Sequence, residues 1–428
     1  MLNARGVAVK LVTAVMDDGA YTNIELNKCL RSSDFDDKDR RFLTELVYGT
    51  VKSCNILDWY LNKLVNCPIK KIEPLVLNVL RVAVFQLLYL ERVPAAAVVD
   101  EAVKLAKIFA NPGAAQMVNG VLRNFLRKKN QFVLPDNVVD RMALTLWHPR
   151  FLVKKWLKYY GVEDTEKLCI FNNEPASLSI RVNTLQITRD ALIQELKDNG
   201  VEAKKSTISA DGIILEKHQN LKNLYDRFGG KFYIQDESSM LVAELLAPEQ
   251  GQKVLDLCAA PGGKTTHLAQ LMQDKGEIIA CDIYPHKLEL IKNNAQQLGI
   301  NIIKTQLNDA TVLNTDFVDR FDAVLVDAPC SGLGVLRHRA EIRWRRTQEN
   351  LKVFPPLQTA ILTNAAQYVH KDGFLVYSTC TIEQSENHYI VTDFLQKHSN
   401  FHLISERQLL PQTDNTDGFY LAKMQRIG

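Results

Sequence analysis

Along residues 1–135 apolar positions recur at the three-to-four-residue spacing of buried helix faces. Val7, Leu11, Ala14 and Val15 share one face. Phe42, Leu46, Tyr48 and Gly49 open a second helix behind an acidic cap region from Asp34 to Asp39. Leu57, Tyr60, Leu61 and Leu64 continue the pattern until Pro68 stops it. Helices over 75–90, 95–109 and 114–126 follow, the last ending among Arg123, Arg127, Lys128 and Lys129. Those cations suit a helix C-terminus as well as they suit a polyanion. The first segment, 1–135, is therefore expected to be all-α.

Periods mix over 136–240. Trp147-His148-Pro149-Arg150 precedes an amphipathic helix through Val153, Trp156, Leu157 and Tyr160. The run 178–183 alternates as a strand does, a helix over 190–199 ends at Gly200, and 212–215 reads as another strand. This is a small α/β connecting subdomain, with Trp147 and His148 as packing residues. From Lys253 onward strands (254–257, 277–281, 302–306, 321–326, 374–378) alternate with helices (265–272, 285–298, 355–369, 384–395). That order predicts a doubly wound, mostly parallel sheet over 241–428, with ligands at the C-terminal strand ends.

A chain of 428 residues with 46% hydrophobic and 24% charged positions is a multidomain globular protein rather than a membrane protein. The best membrane-span candidate, 75–90, carries Asn78, Arg81 and Gln86 and reads as a buried helix. Lys10 breaks the N-terminal apolar stretch, so no signal peptide is expected. Eight cysteines without paired spacing argue against a disulfide framework and a structural zinc site, and for a reducing, cytoplasmic setting with no metal. Residues 1–135 hold 19 Lys/Arg against 13 Asp/Glu, and the remainder 33 against 36. A basic first domain fits an RNA-docking module, and on charge alone a merely solvated surface fits equally.

Chemistry collects at the predicted strand ends. The first catalytic-domain strand runs into Cys258-Ala259-Ala260-Pro261-Gly262-Gly263-Lys264, where glycines let a ligand approach backbone at a helix N-terminus. A phosphate-binding Walker loop is ruled out because position 258 is cysteine where that motif has glycine. The Gly-x-Gly-x-x-Gly spacing of dinucleotide folds is absent as well. Asp282 closes the second strand, placed for ribose hydroxyls; Asp309 follows the third, and Asp327 ends the fourth. Three acids in register with a Gly-rich turn suit S-adenosyl-L-methionine, whose nucleoside presents donors.

Two thiols complete the set: Cys330 in Asp-Ala-Pro-Cys and Cys380 in Ser-Thr-Cys-Thr, each after a strand. A lone strand-end cysteine is usually a buried small hydrophobe, the reading given to Cys258 and Cys281. Cys330 and Cys380 instead enter polar turns facing the cofactor side. Carbon 5 of a pyrimidine is too poor a nucleophile to accept a methyl group until a thiolate adds across the ring. A second group must then help undo that addition.

Asp39-Arg40-Arg41-Phe42, Leu46-Val47-Tyr48-Gly49, Leu80-Arg81-Val82-Ala83, Gln86-Leu87-Leu88-Tyr89 and Val118-Asn119-Gly120-Val121-Leu122-Arg123 resemble the NusB-type helical, RNA-binding domain. Residues 230–428 resemble the RNA 5-methylcytosine methyltransferases, including Tyr233-Ile234-Gln235-Asp236-Glu237-Ser238-Ser239 and Asp417-Gly418-Phe419-Tyr420-Leu421-Ala422-Lys423. Together the resemblances imply a NusB-like domain, a small α/β subdomain and a Rossmann-like class I methyltransferase domain. They also imply small-subunit ribosomal RNA as substrate. They assign Cys380 as nucleophile, Cys330 as the group assisting proton removal or adduct release, and Asp327 as partner of the base edge. The cluster Arg337, Arg339, Arg343 and Arg345 is expected on RNA phosphates, its alternative being a solvated helix with Trp344 buried. Transfer RNA as substrate, or a non-catalytic RNA-binding assembly factor, are the competing functions.

Overall fold

The structure, a computed structural model, describes residues 2–216 and 221–428. Packing divides the chain into two units: Met1–Glu174 with Leu336–Thr347, and Pro175–Val335 with Gln348–Gly428.

The first unit is helical: α1 (Ala4–Met16), α2 (Thr22–Ser32), α3 (Asp37–Lys52), α4 (Cys54–Asn62), α5 (Pro74–Tyr89), α6 (Ala95–Phe109), α7 (Pro112–Lys128), α8 (Val138–Thr145) and α9 (Arg150–Asn173). Local chemistry sets several starts. Asn3 accepts from the Gly6 N–H, Asp36 from Asp39 and Asn111 from Ala114, while Pro74 and Pro112 occupy first-turn positions where no donor is needed. α5 runs through the middle with Val79, Leu80, Val82, Ala83 and Val84 almost wholly buried. Its one buried cation, Arg81, is paired to Asp58 at 2.7 Å. The unit reaches beyond residue 135, to Glu174, because α8 and α9 are tied to α3 and α4. Asn55 donates to the carbonyls of Ala143 and His148, and Lys52 to that of Asn173.

Leu336–Thr347 belongs to this helical unit too. Ala340 is part of its core, Trp344 Nε1 donates to the Val51 carbonyl at 2.6 Å, and Thr22 donates to Glu341. This placement corrects the expectation for the arginine cluster. Arg343 has no exposure, and its guanidinium donates to the carbonyls of Trp147, Asn172 and Leu336 and to Asn173 Oδ1. Arg345 donates to the carbonyls of Val15 and Ala20, and Arg337 lies buried over the Phe171 ring. Arg343 and Arg345 serve packing because main-chain carbonyls beside them need donors, and Arg337 serves it through the Phe171 ring. Arg339 alone of the four is exposed.

In the second unit a four-stranded antiparallel sheet has the order β2-β3-β1-β4, from β1 (Leu178–Val182), β2 (Ala203–Lys205), β3 (Gly212–Leu215) and β4 (Phe232–Ile234). Helices α10 (Arg189–Asp198) and α11 (Leu221–Phe228) supply Leu192, Leu196, Leu224 and Phe228 to its core. The larger sheet has seven strands: β5 (Lys253–Asp256), β6 (Glu277–Asp282), β7 (Ile303–Leu307), β8 (Phe321–Asp327), β9 (Val369–Thr379), β10 (Phe401–Leu409) and β11 (Phe419–Arg426). Their order is β10-β11-β9-β8-β5-β6-β7. Strands β9, β8, β5, β6 and β7 run parallel, while β11 lies antiparallel between β9 and β10. Helices α12 (Glu237–Leu246), α13 (Gly263–Leu271), α14 (Pro285–Leu298), α15 (Phe354–Tyr368) and α16 (His388–Lys397) flank this sheet. No described helix is long and apolar enough to cross a membrane.

Arg343→Ala should destabilise the protein by about 3 kcal/mol in chemical denaturation, since it orphans several buried acceptors. Arg339→Ala should stay within about 0.5 kcal/mol of wild type.

Candidate active site

β5 ends at Asp256, and the chain turns through Cys258–Lys264 into α13. The Ala259 N–H donates to the Cys281 carbonyl and the Gly262 N–H to that of Ala259, the Ala260–Pro261 peptide being cis. Gly262 sits at φ +103°, a conformation that favours glycine, and a Cβ there would come within 3.2 Å of Ile291 Cα. Thr265 donates to Asp256 Oδ2 at 2.8 Å, and burial pushes the Asp256 carboxyl up to about 7. The connecting subdomain braces this turn. Arg181 on β1 is 1% exposed and donates to the Gly263 carbonyl, Thr266 Oγ1 and Gln235 Oε1. Alternation over 178–183 puts Arg181 with Ser179 on the polar phase, opposite Leu178, Ile180 and Val182, so nothing in that pattern marked it as buried.

The acids lie where the sheet order predicts. Asp282 ends β6, buried, with Oδ1 accepting the Tyr284 N–H. Asp309, exposed after β7, turns Oδ1 to Thr311. In each the bonds among the described residues fall on Oδ1. A carboxylate pair beside a Gly turn fits the nucleoside half of S-adenosylmethionine. Cys258 packs with the core on one side of the sheet, and burial raises its thiol well above the ordinary value; Cys281 is pushed up to about 12 by the same cause. Cys281 is a buried hydrophobe, while Cys258 is partly exposed on the turn.

β8 and β9 end level, with Asp327 opposite Ser378. Asp327 Oδ2 meets Lys264 Nζ at 2.7 Å, and Oδ1 accepts from Ser378 Oγ at 2.9 Å. The turns that follow bring Cys330 Sγ and Cys380 Sγ to 3.3 Å. Flanking residues bind each other as well, Ser331 Oγ to Thr381 Oγ1 at 2.7 Å and the Gly334 N–H to the Cys380 carbonyl at 3.1 Å. Gly334 is required here, because a Cβ would stand 1.9 Å from the Gly418 carbonyl oxygen. The Cys330 thiol is raised well above its ordinary value by its bond to Cys380, then by burial and by the charges of Cys380 and Glu386. Burial works against the Lys264 ammonium, but Asp327 and Cys380 raise it on balance.

A family model for the 16S rRNA methyltransferases RsmB/F matches residues 243–425, the NusB family model matches 2–127, and the ferredoxin-like domain model of the same methyltransferases matches 148–222. The probable ribosomal RNA small subunit methyltransferase B of Bacillus subtilis is 37% identical over 100% of this chain and 99% of its own length. The chain belongs to the RsmB/F family of ribosomal RNA small-subunit methyltransferases. RsmB/F enzymes are S-adenosylmethionine-dependent, and the order of domains matches along the whole chain. The crystal structure of PH0851 aligns with a TM-score of 0.88 at 26% identity, covering 100% of this chain and 99% of that one. A structure of NSun6 from Pyrococcus horikoshii with SFG aligns at 0.59 and 25% identity, covering 65% of this chain and 98% of that one.

Asp282→Ala should weaken S-adenosylmethionine binding by roughly ten- to hundred-fold in calorimetry, the loss of a charge-assisted hydrogen-bond pair. Its melting temperature should stay near that of wild type.

Proposed function

We propose that this RsmB/F enzyme methylates carbon 5 of one cytosine in 16S ribosomal RNA through a covalent adduct between Cys380 and carbon 6. The 3.3 Å approach of Cys330 and Cys380 beside the Lys264–Asp327 pair carries this reading. When bound, S-adenosylmethionine supplies an electrophilic methyl group on a sulfonium. Cys258–Lys264, Asp282, Asp309 and Asp327 are the residues that would hold it.

A free thiol has a pKa of about 8.5, so the nucleophile needs help to ionise at neutral pH. Lys264 gives that help, since the charges of Asp327 and Cys380 both favour its ammonium form. Once Cys380 adds to carbon 6, negative charge develops around ring nitrogen 3 and the exocyclic amine. Asp327, held by Lys264 and Ser378, is fixed to orient that edge, with Lys264 offsetting the charge. Carbon 5 then takes the methyl group. Loss of its proton and departure of Cys380 restore the ring double bond, with Cys330 beside the sulfur that leaves. A cytosine stacked in a helix cannot meet both thiols, so the base must be turned out of its stack.

The test combines wild type, Cys330→Ala and Cys380→Ala with cofactor and unmodified small-subunit RNA, read by denaturing gels and bisulfite mapping. Cys380→Ala should lose all methylation and form no adduct. Cys330→Ala should accumulate covalent protein–RNA complex. Equal, adduct-free loss in both would overturn the division of labour.

A further inference from the structure

Two adjacent residues outside the thiols and the cofactor turn each grip one thiol-bearing loop. The sequence pattern places 384–395 in one helix, but the chain forms a short 3-10 turn, Gln384–Glu386, and α16 begins only at His388. Asn387 breaks the helix at φ −118°, ψ −106°, and its side chain explains why. It accepts from Thr379 Oγ1 at 2.5 Å and donates to the Thr381 carbonyl at 2.9 Å, so it clamps both neighbours of Cys380. Glu386 clamps the other loop. Its Oε2 accepts the Ser331 N–H at 2.8 Å and Gln358 Nε2 at 3.0 Å, and Gln358 also donates to the Pro329 carbonyl. Ser331 and Pro329 flank Cys330 as the threonines flank Cys380.

Both clamps are 1% exposed, yet one is neutral and the other is a carboxylic acid whose Oε1 has no hydrogen-bond partner among the described residues. A glutamine would satisfy the Ser331 N–H without the cost of burying a charge. Two thiols 3.3 Å apart cannot both ionise readily, so one proton is effectively shared between them. The groups around the pair are unevenly placed. Lys264, paired to Asp327, feels the charge of Cys380, while Glu386, bonded to the Ser331 N–H, is the carboxylate that acts on Cys330. Burial raises the Glu386 carboxyl, and the donors from Ser331 and Gln358 act against that rise.

We propose that Glu386 and Asn387 are positioning residues that hold the two thiols in register, and that the Glu386 charge keeps the shared proton on Cys330. Cys380 is thereby left as the thiol that ionises. The proposal rests on the reading of Cys380 as nucleophile. It is tested on the free full-length protein, so it is read separately from that reading.

Reduced protein would be alkylated with iodoacetamide from pH 6 to 10, with each cysteine quantified by peptide mass spectrometry. In wild type the Cys380 midpoint should lie below that of Cys330. Glu386→Gln, which keeps an acceptor for Ser331, should lower the Cys330 midpoint by about one pH unit. Glu386→Asp should leave it near wild type, and Asn387→Ala should leave it unchanged. Asn387→Ala should instead slow diamide-driven formation of the Cys330–Cys380 disulfide at least ten-fold, the oxidant being reduced to its hydrazine as the thiols join. An unchanged Cys330 midpoint in Glu386→Gln, or equal shifts in the Gln and Asp variants, would overturn the charge role. If Glu386→Gln does not fold, wild type still decides, since a Cys330 midpoint below that of Cys380 overturns it alone. If the thiols order as expected but Cys330→Ala traps no RNA adduct, the catalytic reading fails and the positioning role stands.

Discussion

The site depends on one constraint, the level ending of two neighbouring parallel strands. With Asp327 opposite Ser378, three residues beyond one strand position and two beyond the other deliver Cys330 and Cys380 to the same point. A slip of one residue would turn every side chain of a strand to the opposite face. Interlocking contacts hold the ends against such slippage: Asp327 to Ser378, Ser331 to Thr381, Gly334 to Cys380 and Gly334 to Gly418. β11, wedged antiparallel beside β9, brings Gly418 into that lock. Gly418 also lacks room for a side chain, since a Cβ would approach Ile382 Cγ2 to 2.4 Å.

Much of this was legible in the sequence, for identifiable reasons. Periodic helices of the first unit and the parallel core strands announce themselves because each buries one continuous face. Strand-end chemistry is legible because polar residues there interrupt apolar runs. Two kinds of feature resisted. β10 is exposed over most of its length, so no alternation marks it, and β11 is buried at four residues in a row from Phe419 to Ala422, so alternation fails there for the opposite reason. The second kind is charge turned inward. Arg343, Arg345 and Arg337 look like an RNA-facing cluster until their carbonyl and ring partners, distant in sequence, are known. Nothing local distinguishes an arginine that meets phosphate from one that satisfies main-chain oxygens.

Arg181 repeats the lesson within the second unit, where a cation from the small sheet satisfies the carbonyl at the start of α13. The small subdomain thus braces the turn that opens α13. Buried hydrogen bonds of this kind specify one arrangement of a loop more sharply than apolar packing alone.

Leu336–Thr347 closes the first unit's core with Ala340, Arg343 and Trp344, yet lies roughly 170 residues after Glu174, a delay of about 10–30 s at the usual pace of synthesis. The nascent helices therefore emerge with a gap on their surface and with carbonyls at Val15, Val51 and Trp147 still lacking their later donors. Completion of the amino-terminal unit must wait until much of the catalytic sheet has left the ribosome. A truncated chain ending before residue 336 would lack the piece that finishes its own first domain.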